Sequence, residues 1–192
     1  GQADEIDFEL FGEEMQYAEI TLDPGEQVIA EPGAMMYMTA GIQMQTVFGD
    51  PSKKQSGFLD KLVTAGKRVL TGESLFMTTF TNGASGREKI AFASPYPGKI
   101  IPMDLAQLGG EIICQKDSFL CAARGIEIEV AFTKKLGAGL FGGEGFILQR
   151  LEGDGLAFIH AGGSILEREL AAGEVLAVDT GCLAAFSASV DY

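Results

Sequence analysis

A pattern of strand, glycine turn and strand occurs three times in this chain, and such a chain satisfies its backbone polar groups only by pairing strands between the copies. The clearest copy is Leu170 to Phe186, LAAGEVLAVDTGCLAAF. Leu22 to Met38, LDPGEQVIAEPGAMMYM, aligns with it without a gap, placing Leu22 on Leu170, Gly25-Glu26 on Gly173-Glu174, Gly33 on Gly181 and Met35 on Leu183. A weaker copy centres on Gly110-Glu111, with Ser118 and Leu120 at the offsets of Gly181 and Leu183. The pattern predicts a mainly all-β fold, a β-sandwich or double-stranded β-helix of three pseudo-equivalent units around Gly25, Gly110 and Gly173. It is expected to form a single β-rich domain over residues 1–192, one unit being split between the chain ends. The recurring Glu26, Glu111 and Glu174 follow Gly turns and are expected to accept hydrogen bonds from turn amides.

Between the copies, period-two alternation marks further strands. Ile6 to Leu10 and Met15 to Leu22 read as a hairpin, and Ala40 to Val47 as an edge strand. Asn82-Gly83-Ala84-Ser85-Gly86 and Glu152-Gly153-Asp154-Gly155 read as hairpin turns. Ile126, Ile128 and Val130 alternate with Glu127 and Glu129, which predicts one buried and one wet face. Met35, Met36, Met38 and Met44 fit alternating core and edge positions better than an adaptable binding surface.

The 46% hydrophobic content with 13 Phe predicts a real core, and the 26 Gly predict many turns. A net charge of −13 with only 14 Lys+Arg argues against nucleic acid as a partner, because phosphate binding needs clustered basic residues. Three cysteines without a CxxC pair indicate neither a disulfide framework nor a zinc knuckle. No apolar run approaches the ~18 residues of a membrane-spanning helix, and no basic-then-apolar leader is present. A cytoplasmic protein is expected.

No residue set announces catalysis, a cofactor or a metal. Gly137 to Gly142, GAGLFG, matches the dinucleotide fingerprint literally, but a Gly-Glu-Gly turn and a strand follow it instead of the required helix. His160 is the chain's one histidine. Alone it cannot supply the several ligands of a metal site, nor the base of a Ser or Cys triad with partners in evidence. Carboxylates at i and i+2, such as Glu127 with Glu129 and Glu167 with Glu169, share a strand face, as any solvated face of an acidic chain would show.

One segment switches period. From Phe58 to Leu70, Phe58, Leu59, Leu62, Val63, Ala65, Val69 and Leu70 fall on one arc of a helix, opposite Asp60, Lys61, Thr64, Lys67 and Arg68. With Lys53 and Lys54 it forms a basic surface on an otherwise acidic protein. Lys53, Lys54, Phe58, Leu59, Lys61, Leu62, Lys67 and Arg68 are therefore the candidate contacts for an anionic membrane or a partner. Packing on the sheet explains the same pattern more simply.

GESLFMTTF, SFLCA, GLFGGEGFILQ and GEVLAVDTG together resemble the altered inheritance of mitochondria family, long catalogued as a domain of unknown function, from about Phe8 to Tyr192. The resemblance implies a fold like that of the tryptophan RNA-binding attenuation protein and a homo-oligomer, a trimer or a multiple of it. It brings no catalytic residues. The expected function is a non-enzymatic oligomeric scaffold or interaction protein with peripheral membrane contact as an added role. The alternatives are a module binding a small apolar ligand and, third, an enzyme.

Overall fold

The structure is a computed structural model that describes residues 2–31, 33–48, 76–134 and 145–192. The described residues form fourteen strands in three antiparallel sheets, with two short 3-10 turns and no α-helix. The first sheet has the order β1-β2-β7-β4, from β1 (Asp7–Phe11), β2 (Tyr17–Leu22), β7 (Glu88–Ala93) and β4 (Met35–Met38). The second runs β5-β6-β3-β10-β13-β8, from β5 (Ile42–Phe48), β6 (Phe76–Asn82), β3 (Gln27–Ala30), β10 (Phe119–Ala123), β13 (Leu156–Gly162) and β8 (Gly98–Asp104). The third is β11-β12-β9-β14, from β11 (Glu127–Lys134), β12 (Phe146–Glu152), β9 (Glu111–Gln115) and β14 (Ala185–Ser187). The segment 58–70, with the helix expected there, and the fingerprint match at 137–142 lie outside the described residues.

Strand residues explain the layering. Ile20 and Leu22 of β2 are buried while Glu19 and Thr21 are not, the alternation of a strand with one face in the core. All five residues of β10 are buried, as are three in succession on β3 and four on β13, so these central strands are covered on both faces. Their continuous apolar runs are what double coverage requires. One core draws on all three sheets, with Ile20, Leu22, Ile90 and Phe92 from the first, Val28, Phe80, Cys121 and Phe158 from the second, and Ile112, Cys114, Ile128 and Leu151 from the third. Burial of each large side chain contributes roughly 1.5–3 kcal/mol. As expected of β11, Ile128 is buried while Glu127 and Glu129 face water.

Two expectations fail at the loops after β6 and β12. The strands flanking 83–87 do not pair with each other: β6 bonds β3 and β5 in the second sheet, and β7 bonds β2 and β4 in the first. Likewise β12 lies in the third sheet and β13 in the second. These loops carry the chain from one sheet to another. Buried Asn82 fixes the first crossing, its Nδ2 donating to the Leu22 and Gly86 carbonyls, each at 2.8 Å, while its Oδ1 accepts from Ala84 N at 2.8 Å. A two-residue hairpin turn would leave those groups to each other, whereas the amide here joins two sheets.

The glycine turns recur in detail. Gly25, Gly110 and Gly173 have φ of +83°, +91° and +78°, a region that side chains other than glycine rarely enter. Glu26 Oε2 accepts from Asp23 N at 2.7 Å, and Glu174 Oε2 from Ala171 N at 2.9 Å. Glu111 departs from that pattern and lies 3.6 Å from Arg150. Beyond each turn a second bend repeats: Ala34 N donates to Glu31 O, Phe119 N to Lys116 O, and Cys182 N to Asp179 O.

The largest departure from expectation is at the third copy. Residues 165–170 and 175–178, aligned with β2 and β3, form no strand and stand in solvent around the turn at Gly173. Ladder hydrogen bonds need a neighbour, and among the described residues none lies alongside this arm.

A short tie crosses the second sheet. Ala3 N donates to Asp154 Oδ1 at 2.7 Å, and Asp4 N to the Arg124 carbonyl at 2.9 Å. The Asp4 carboxylate in turn accepts from Gln27 N at 2.9 Å and from the Arg124 guanidinium at 3.0 Å. Residues 3 and 4 thus clasp β3 and β10 where the two halves of the sheet meet.

Candidate functional site

Two of the three cysteines and the one histidine are withdrawn from solvent. Cys114 and Cys121 are buried, and burial pushes the Cys114 thiol up to about 12 and the Cys121 thiol well above its ordinary value. Neither supplies thiolate at neutral pH. Cys182 is exposed. Among the described residues no three His, Cys, Asp or Glu gather as metal ligands.

His160 is 2% exposed, packs edge-on against Tyr96 with ring centroids 5.0 Å apart, and covers Gly98, where a Cβ would lie 2.7 Å from its ring. Among the described residues neither ring nitrogen has a hydrogen-bond partner. Burial lowers its pKa, so the folded protein holds a neutral imidazole. A depressed folded pKa favours the fold above the unfolded value of about 6.5, and that advantage disappears as pH falls and the unfolded chain takes up the proton first. His160→Leu removes the acid penalty. The variant's melting temperature should exceed that of the parent by more at pH 5 than at pH 8; an equal difference at both would show that His160 does not titrate between the states.

The distinctive surface is instead an open strand edge with an aromatic row leading to it. β4 is bonded to β7 along one side, and among the described residues no strand pairs with its other side. Met35 and Met38 turn toward the core, whereas Met36 is 54% exposed and Tyr37 37% exposed. Met44 on edge strand β5 is exposed too, so the methionine set divides between core and edge as its spacing predicts. Phe11 stacks on Tyr17 at 5.0 Å, and Tyr17 meets Tyr37 edge-on at 6.4 Å. The Tyr37 hydroxyl donates to Glu19, which also accepts from Lys89 Nζ at 2.7 Å. The hydrogen bond to Glu19 pushes the Tyr37 pKa up to about 12, and that from Lys89 holds the Glu19 carboxyl below its ordinary value. The edge is therefore held in position by a charged pair on its outer face.

A second apolar surface lies on the arm. Leu166 and Val175 are 88% and 92% exposed, and Ile165, Leu176 and Val178 are exposed as well. Their aligned positions in the first copy are Tyr17 and Gln27, which are half-buried, and Ala18, Val28 and Ala30, which are fully buried. The third sheet adds an aromatic cluster in which Phe132 meets Phe146 and Tyr192, and Tyr192 meets Phe186 at 5.2 Å. Beside it, Gln115, Asp117, Phe146 and Thr180 line a cleft of about 150 Å³.

The sequence-derived contact residues Lys53, Lys54, Phe58, Leu59, Lys61, Leu62, Lys67 and Arg68 lie outside the described residues. Sequence reasoning missed the open β4 edge and the arm, because alternation reports which face of a strand is buried and not which edge is paired. Among the described residues no helix is long and apolar enough to cross a membrane.

No curated protein matches the chain. Among solved structures, a crystal structure of a Streptococcus pyogenes protein, a structural-genomics target, is similar at a TM-score of 0.59 and 22% identity. The match covers 82% of this chain and 65% of that one, so the chain spans less than two thirds of the length of its structural relative, and at this identity the likeness is one of fold. The model of the mitochondrial biogenesis AIM24 family matches residues 8–192, and with nearly the whole length matched, the chain belongs to that family.

Proposed function

We propose that this protein is a non-enzymatic, self-assembling interaction module, built as three equivalent β units in the manner of the tryptophan RNA-binding attenuation protein. The observation that carries the assembly is the exposed apolar arm, since soluble proteins seldom leave a contiguous stretch such as Leu166 and Val175 to Val178 in water. An unpaired β4 edge adds a second surface that proteins usually cover. The three-unit reading is supported by the matching φ at Gly25, Gly110 and Gly173 and by the matching bends at Ala34, Phe119 and Cys182. The assembly is a closed homo-oligomer, a trimer or a multiple of it, in the cytoplasm.

The basic stretch from Lys53 to Arg68 gives the assembly peripheral contact with anionic membranes. One experiment covers both parts of the reading. Sedimentation of the protein should return a closed oligomer whose mass is independent of loading concentration, and at low salt that oligomer should pellet with phosphatidylserine vesicles. A monomer at all concentrations would refute assembly, and an oligomer that never pellets would refute membrane contact alone. The rival apolar-ligand module would need more room than the cleft beside Gln115 and Phe146 offers, about 150 Å³ against the roughly 300 Å³ at which small-molecule pockets begin.

A further inference from the structure

The pairing of the described strands obeys a rule that leaves one pair unmade. Gly110 and Gly173 stand 85 and 148 residues beyond Gly25, and these offsets place Ala122 and Ala185 in the position of Tyr37. They likewise place Cys114 and Ala177 in the position of Ile29. Ala122 is the partner of Ile29 where β10 meets β3, and Ala185 is the partner of Cys114 where β14 meets β9. Each unit therefore offers its Tyr37 position to the Ile29 position of the unit before it, in the same register both times. What remains is Tyr37 itself, on the open side of β4, and Ala177, on the exposed arm.

We infer that residues 175–178 of one copy add as a strand to the β4 edge of a second copy, with Tyr37 opposite Ala177, Met36 opposite Val178 and Met38 opposite Leu176. This inference rests on the three-unit reading above and assigns the surface through which the chain assembles. The two strands suit each other chemically: Met-Met-Tyr-Met and Val-Leu-Ala-Val carry no charge, so pairing buries apolar side chains without desolvating an ion. A second copy is the occupant because in this chain the arm stands unpaired, with Leu176 and Val178 exposed, while the β4 edge beside Tyr37 is open as well. The arm's two feet are fixed on other sheets, at Gly162 opposite Gly98 and at Ala185 opposite Cys114. Main-chain hydrogen bonds supply the attraction and the alternating side chains the register, as in other strand additions.

The test uses two populations of the full chain, both carrying Cys182→Ser. One carries Met36→Cys and a purification tag, and the other Val178→Cys and none. Opposite residues of an antiparallel pair sit within the 4.4–6.8 Å Cα separation of a disulfide, so mixing under mild oxidation should give a covalent heterodimer. Replacing the second chain by Val175→Cys displaces the thiol by about 10 Å along the strand and should lower the yield at least about fivefold. Both substituted positions are exposed, and unchanged melting temperatures would show that the variants fold. A yield no higher than the out-of-register control overturns the inference, as does a Met36→Cys, Val178→Cys double variant that closes within one chain. If the parent protein sediments as an oligomer while the cross-link fails, the assembly surface is wrong and the scaffold reading stands; a monomeric parent removes both.

Discussion

Phe158→Ala is expected to lower the unfolding free energy by about 3–5 kcal/mol, the usual cost of emptying a buried aromatic site. Phe158 is fully buried on β13, the strand between β8 and β10, and meets Phe8 edge-on with centroids 5.0 Å apart. Its ring therefore ties the first sheet to the second, and its removal leaves a cavity between doubly covered strands that have little freedom to collapse. Urea unfolding followed by tyrosine fluorescence measures the change. Phe132→Ala on the third sheet supplies the contrast, because that side chain is already 38% exposed and should cost under about 1 kcal/mol. Equal effects from the two would mean that the core does not run between the sheets as described.

Asn82→Ala is the second large change expected, at about 3 kcal/mol, from one buried and two partly buried hydrogen bonds worth roughly 1 kcal/mol each, with the desolvated Leu22 carbonyl left unpaired. Asn82→Asp separates shape from donor chemistry. It keeps the acceptor for Ala84 N but faces two carbonyl oxygens with a carboxylate, so it should destabilise at least as much as alanine above pH 5 and recover part of the loss below pH 4. The folded pKa of that carboxyl is raised, so its protonated form favours the fold and the benefit lies on the acid side. Indifference of both variants in a thermal melt would rule out the amide as the link between sheets.

Much of the strand inventory was legible because it depends on neighbours in sequence. Ile6 to Leu10 and Met15 to Leu22 are readable as a hairpin from their alternation, and β1 and β2 pair antiparallel over Asp7–Phe11 and Tyr17–Leu22. What the residues did not reveal was the partner of each strand. The polar loop after Asn82 looks like any hairpin turn, since the carbonyl that its amide seeks belongs to Leu22, 60 residues away. The same limit applied to the surface. Leu166 and Val175 have the composition of core residues, yet they are exposed, and among the described residues no strand lies beside them. The candidate site was thus written in the sequence as an alignment of Ile29 with Ala177 and became visible as a site once Ile29 was seen paired.

The tie made by residues 3 and 4 sets an order on how the molecule comes into being. Ala3 bonds Asp154, 151 residues onward, and Asp4 bonds Arg124, 120 residues onward. Synthesis makes these two residues long before Asp154 and Arg124, whereas Gln27, the other partner of Asp4, follows only 23 residues later. Until β10 is made, β3 has only β6 for a neighbour and holds its other edge open. Loop closure over such distances comes late, after the local sheets have formed. The full clasp is therefore among the later contacts to form, and a nascent chain carries β3 with one edge open until β10 has been made.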